Sequence, residues 1–136
     1  MAWVVDTCVL IDVLVGDPEF GERSAALIDR HLPQGILVCP VTYAELAPAF
    51  GGNLALQNEF LDALGAQYRL VWGWQETEAA HQAWHRFVAL RRRAQVPKKP
   101  LADILIGAFA SAHSGLLTRN GSDFAAVFSN LVIRAA

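Results

Sequence analysis

Four acidic residues, Asp6, Glu45, Asp103 and Asp123, each lie where an apolar strand-like run gives way to a helix start. Carboxylates drawn close together cannot all stay ionised unless positive charge sits between them, and a hard divalent cation with oxygen ligands meets that need. These residue types therefore point to a Mg2+ or Mn2+ site that would also bridge to a substrate phosphate. The histidines offer no rival. His81 and His85 stand four apart with no third ligand nearby in sequence, which reads as a solvated helix face. His31 and His113 fall near helix C-termini, where the backbone dipole favours a cation.

Distant acids can meet only if the elements carry them to one place. Residues 3–5, 36–39, 68–72, 115–118 and 131–133 read as short strands, and 9–15, 18–32, 41–50, 54–64, 76–95, 101–113 and 122–128 as helices. This alternation predicts an α/β fold with a mostly parallel sheet covered on both faces. In such a sheet the C-terminal ends of the strands share one edge with the helix N-termini, so the four acids would converge on one crevice.

Each acid also has a bland explanation. Thr42-x-x-Glu45 matches a capping box, and Asp6, Asp103 and Asp123 could each cap a helix N-terminus for ~0.3 to 1 kcal/mol. Against this, Asp103 lies in the apolar stretch Leu101-Ala102-Asp103-Ile104-Leu105-Ile106, where a charge is costly without a partner. On its face Gly107, Ala110 and Ser114 are small, leaving room for a ligand. Asp12, six residues past Asp6 and nearly opposite on a helix, reads as structural or solvent-facing.

A chain of 136 residues reads as one domain, 1–136, with no linker, repeat or membrane-spanning run. The start Met-Ala-Trp-Val-Val-Asp does not look like a signal peptide, and Cys8 and Cys39 read as reduced, packed thiols, so a cytoplasmic location is expected. Net charge is only −2, so nucleic-acid binding would need a local patch. Counting Gly and leaving out Tyr, about 60% of the residues are apolar, against about 45 to 50% in average chains. That excess predicts a buried interface, most simply a two-fold homodimer.

Four segments resemble the motifs of PIN-domain ribonucleases: Val4-Val5-Asp6-Thr7-Cys8-Val9-Leu10-Ile11-Asp12, Val41-Thr42-Tyr43-Ala44-Glu45-Leu46, Ala102-Asp103-Ile104-Leu105-Ile106-Gly107-Ala108 and Leu116-Leu117-Thr118-Arg119-Asn120-Gly121-Ser122-Asp123-Phe124. Length and motif detail are most similar to VapC-type toxins of toxin-antitoxin pairs. The resemblance implies a PIN-like three-layer α/β/α sandwich, with Asp6, Glu45, Asp103 and Asp123 as metal-binding and catalytic acids supported by Thr7, Thr118 and Asn120. It further implies an endoribonuclease in which a water acidified by Mg2+ or Mn2+ attacks an RNA phosphodiester in line. A small antitoxin would restrain it, its disordered tail folding into a groove and placing a basic residue among the acids. Two other classes stay open. A Mg2+-dependent phosphohydrolase of the haloacid-dehalogenase type would want Asp-x-Asp after the first strand, where Asp6-Thr7-Cys8 stands. A non-catalytic nucleic-acid or protein-binding module would use the acids only as caps.

Arg86, Arg91, Arg92, Arg93, Lys98 and Lys99 supply six of eleven basic residues and lead directly towards Asp103. Arg91, Arg92, Arg93, Lys98 and Lys99 form the candidate RNA-binding strip, with a dipole-stabilised helix end as the competing explanation. Trp72 and Trp74 could stack on bases, although packing accounts for them as well. Replacing Arg91, Arg92 and Arg93 together should weaken RNA binding and flatten its salt dependence while leaving metal binding alone. An unchanged salt slope in a filter-binding titration would place the RNA path elsewhere.

Overall fold

Period-two burial in the strands organises the molecule. In the computed structural model, which describes residues 1–93 and 100–136, strand β1 (Trp3–Val5) is central and fully buried. Val4 enters one hydrophobic cluster, while Trp3 and Val5 enter the other. Its neighbour β4 (Gly115–Thr118) divides in the same way, Leu116 to the first cluster and Leu117 to the second. Alternate side chains of a strand point to opposite faces, so both faces must be covered.

The covering elements are helical. Helices α1 (Thr7–Val15), α2 (Gly21–His31) and α4 (Leu54–Ala63) bring Val9, Leu10, Leu27, Ile28 and Leu61 to one face. Helices α5 (Trp74–Arg92), α6 (Leu101–Ala110) and α7 (Gly121–Ala125) bring Ala83, Phe87, Ile104, Ala108 and Phe124 to the other. Between these layers lie β2 (Ile36–Leu37), β3 (Ala66–Gln67) and β5 (Ile133–Ala135). A short helix, α3 (Pro40–Glu45), follows β2. The strand order is β3-β2-β1-β4-β5 and every pairing is parallel. This is a three-layer α/β/α sandwich with an all-parallel central sheet, as the alternation of elements led one to expect. None of its described helices is long and apolar enough to cross a membrane.

The order contains the feature that matters for chemistry. The chain runs outward from β1 through β2 to β3, then returns to the other side of β1 as β4. Connections therefore leave β1 and β4 in opposite directions, and the crevice beyond their C-terminal ends is the topological switch point where open α/β sheets take ligands.

Several expected elements differ. The third strand is Ala66–Gln67, not 68–72, because pairing to Ile36 and Leu37 selects it. Trp72 is instead drawn against Phe109, with its Nε1 donating to Thr77 Oγ1 at 2.9 Å. The helix expected over 41–50 breaks after Glu45 into a 3-10 turn, Ala47–Phe50, as Pro48 removes a backbone donor. The last strand is shifted to Ile133–Ala135 by its register with Leu116, Leu117 and Thr118.

The room expected beside Gly107 is also taken, by protein rather than ligand. A Cβ there would come within 2.7 Å of Phe128 Cζ, and Ala110 is fully buried. Gly107→Ala would gain up to ~1 kcal/mol of helix propensity but force a close-packed ring aside, which typically costs about 1 to 3 kcal/mol. Its melting temperature should therefore fall; an unchanged or higher one would show that Phe128 yields freely.

Candidate active site

Asp6 stands one residue past β1 and caps α1. Its extended backbone leaves the strand while its carboxylate accepts from Thr7 N at 2.8 Å, satisfying one orphan donor of the helix. The other oxygen, Oδ2, accepts from Thr118 Oγ1 at 2.8 Å, and the Cys8 thiol lies 3.5 Å away. Only 6% of Asp6 is exposed. Burial foremost holds its carboxyl above the usual range, the charge of Asp103 adds to this, and the bonds from Thr118, Cys8 and Thr7 oppose it.

Glu45 arrives from the other direction, as the last residue of α3. Its Oε1 accepts from Thr7 Oγ1 at 2.8 Å, and the same hydroxyl lies 3.1 Å from Thr42 Oγ1. The capping box offered as the bland explanation of Glu45 does not form: Cys39, not Thr42, precedes the first turn, and Thr42 is buried in the third helical position. Glu45 is thus tied to the first acidic motif rather than to its own helix start. Asp103 lies in the first turn of α6 and is half-buried.

Asp6, Glu45 and Asp103 line one cavity of about 280 Å³ together with Thr7, Cys8, Arg119 and Asn120. Asp123, in the first turn of α7, is not among its lining residues, although Asn120 and Phe124 on either side are. Thr118 lies fully buried behind Asp6, its Oγ1 also accepting from Asn120 N at 3.2 Å. Of the expected basic strip, Arg91, Arg92 and Arg93 are exposed at the end of α5 and are not among the residues lining the cavity. Lys98 and Lys99 lie outside the described residues.

Of the two readings open for Asp12, structural or solvent-facing, the structure selects the first, and Arg119 is a cavity residue that the motifs alone do not single out. Asp12 does not face solvent: it is 3% exposed, and its Oδ2 accepts from Ser24 Oγ at 3.2 Å. Arg119 Nε lies 3.5 Å from that same oxygen, and its side chain lines the cavity. Arg119 had one available signal, as the single cation within the four acidic segments.

The donors suit a hard cation. Three carboxylates line the cavity with oxygen atoms of the kind such an ion takes, and the buried one is held against its own ionisation by burial and by a like charge, which an ion would relieve. Among the described residues, no three such side chains stand close enough to hold an ion unaided. Mg2+ and Mn2+ sites of few protein ligands complete their shells with water.

The raised carboxyl of Asp6 has a testable consequence for stability. Its pKa in the folded state lies above the unfolded value of 3.8, so the folded form holds its proton more tightly. This group's contribution favours folding at low pH, falls as pH rises through the folded pKa, and is unfavourable at neutrality. In chelator at pH 7, Asp6→Asn should therefore stabilise the fold, by on the order of 1 kcal/mol as for other single stabilising changes, and so raise the melting temperature. Mn2+ should stabilise the parent chain and not the variant. A variant that melts lower in chelator would mean that the cap and the Thr118 bond outweigh the buried charge.

No curated protein matches the chain. Its fold is similar to a chain in the crystal structure of VapBC2 from Rickettsia felis bound to a DNA fragment from their promoter, at TM-score 0.68 and 16% identity over all of this chain and 99% of that one. The family model of the PIN domain matches residues 3–128, nearly the full length. With the sheet order, the strand-end acids and that match in agreement, this chain belongs to the PIN domain family.

Proposed function

We propose that the chain is a Mg2+- or Mn2+-dependent endoribonuclease of the VapC type, restrained in the cytoplasm by a small antitoxin. The observation that carries this reading is the meeting of Asp6, Glu45 and Asp103, from three separate segments, in one cavity at the switch point of the sheet. Helix caps alone have no reason to share a cavity.

Asp6, Glu45 and Asp103 would hold the ion, with Asp123 at the margin. When bound, the ion would acidify a water and offset charge developing on an RNA phosphodiester. The protein's own part is to fix the carboxylates. Thr118 holds one oxygen of Asp6, and Thr7 holds one oxygen of Glu45, the kind of outer support that orients ligands and tunes their basicity. Cys8 occupies the position where a haloacid-dehalogenase-type phosphatase would carry its second acid, and its thiol is pushed up by burial and by the charge of Asp6. It supplies neither a carboxylate nor a ready nucleophile, which disfavours the phosphatase reading.

A restraining partner would find an apolar cavity beside the acids. A cavity of about 670 Å³ runs between α3, α5 and α6, lined by Val41, Ala44, Trp72, Trp84, Leu101 and Leu105. Val41 and Ala44 precede Glu45, and Leu101 and Leu105 flank Asp103, so an apolar segment lying here could deliver a basic residue to the acids. Antitoxin partnership is borrowed from the similar VapBC2 complex. Exposed Val71 and Trp74, at 82% and 75%, and the overall apolar excess support a homodimer beside it.

Asp6→Asn, Glu45→Gln and Asp103→Asn should each lower RNA cleavage by at least about a hundredfold, with Asp123→Asn losing less. Thr7→Val and Thr118→Val should lose about 10 to 100-fold, as outer-shell changes do. Mapping new RNA 5′ ends after induced expression tests this. Amide variants that cut as well as the parent but melt lower would leave the acids as caps only.

A further inference from the structure

Arg119 is the one basic side chain lining the acidic cavity among the described residues, and it is held there by more than a surface residue needs. Its Nε is buried without a hydrogen-bond partner and lies 3.5 Å from Asp12 Oδ2. Its guanidinium carbon sits 4.7 Å from the centre of the Phe20 ring. Asp12 is itself buried and steadied by Ser24. Yet 31% of the Arg119 side chain stays exposed, and no described hydrogen bond takes its Nη atoms.

With Asp12 buried, an ion pair serves poorly as a clamp between α1 and the connection after β4, since apolar residues of similar size would do as well or better. What the pair achieves is orientation. With Nε beside Asp12 and Phe20 against the guanidinium, the side chain is restricted in its rotamers while it lines the cavity and keeps part of its surface exposed. A phosphodiester entering a wall of three carboxylates meets repulsion that a second cation would offset, and the planar fork of arginine matches two phosphate oxygens.

We infer that Arg119 binds a phosphate of the RNA backbone at this site, with Asp12 as its positioning residue. The inference rests on the ribonuclease reading, and the two can fail separately. The experiment measures binding of a fluorescent single-stranded oligoribonucleotide by anisotropy across a salt series, with Ca2+ replacing Mn2+ to keep the strand uncut. Calorimetric Mn2+ binding and melting temperature are recorded for the same proteins.

For Arg119→Gln, affinity should fall about tenfold and the salt slope should drop by about 0.7, the value for one lost contact on a single strand, with Mn2+ affinity unchanged. Arg119→Lys should restore the slope but not the full affinity, because it keeps the charge and loses the fork. Asp12→Asn should raise KM for RNA several-fold with kcat little changed, and leave the slope intact. If Arg119→Gln, or Arg119→Lys should the first not fold, melts lower but binds RNA with parental affinity and slope, Arg119 is only a clamp and the inference is overturned. A parent chain that binds Mn2+ but no RNA overturns both this inference and the ribonuclease reading.

Discussion

The rest of the site depends on one buried carboxylate at the end of the central strand. Val4 and Val5 are fully buried, so the strand cannot slide, and the next residue, Asp6, is carried to the rim with only 6% of its surface exposed. An ionised acid in that position is costly unless it is paired and hydrogen-bonded. Thr7 N and Thr118 Oγ1 supply the bonds, but the charge of Asp103 acts on it with the wrong sign. Without a cation the arrangement is strained electrostatically, and sites of this kind commonly trade stability for function.

That constraint explains why the acids come from both sides of the sheet. Asp6 heads α1, whose Val9 and Leu10 join one core; Asp103 sits on α6, whose Ile104 and Ala108 join the other; and Glu45 arrives on α3, which packs Val41 on one core and Tyr43 on the other. The two packed layers act as the arms of a fixed frame, and the Thr7 hydroxyl ties the Glu45 arm to the Asp6 strand end. Similarity to the VapBC2 chain at TM-score 0.68 and 16% identity agrees with this view of the frame: many apolar sequences can fill such layers, while the residues at the strand ends set the chemistry.

Charge around the cavity is layered as well. Carboxylates form the wall, Arg119 stands at its margin, and Asp12 lies behind Arg119 with Ser24 for support. Asp12 therefore neutralises and orients Arg119 rather than joining the acids that face the cavity. The apolar cavity beside α3 and α6 is a different surface and shares no lining residue with the acidic one.

Much of this was legible in the sequence because it depended on local periodicity. Alternation of short apolar runs with amphipathic stretches determined the α/β class, the parallel sheet and the position of Asp6, Glu45 and Asp103 near strand or helix ends. Where local signal and pairing competed, the sequence misled: the apolar run 68–72 looked more strand-like than Ala66–Gln67, but only the latter met β2 in register. Glu45 had a local capping pattern that a cross-motif bond from Thr7 displaced. Asp12 and Arg119 are 107 positions apart, and nothing in either neighbourhood announces their 3.5 Å contact. The sequence by itself determined which elements form and which acids reach the rim, since burial patterns and turn residues act over a few positions. Only the tertiary structure decided which of those groups share a cavity, because charge and hydrogen bonding act through space, and the partners come from segments that meet only after both faces of the sheet have closed.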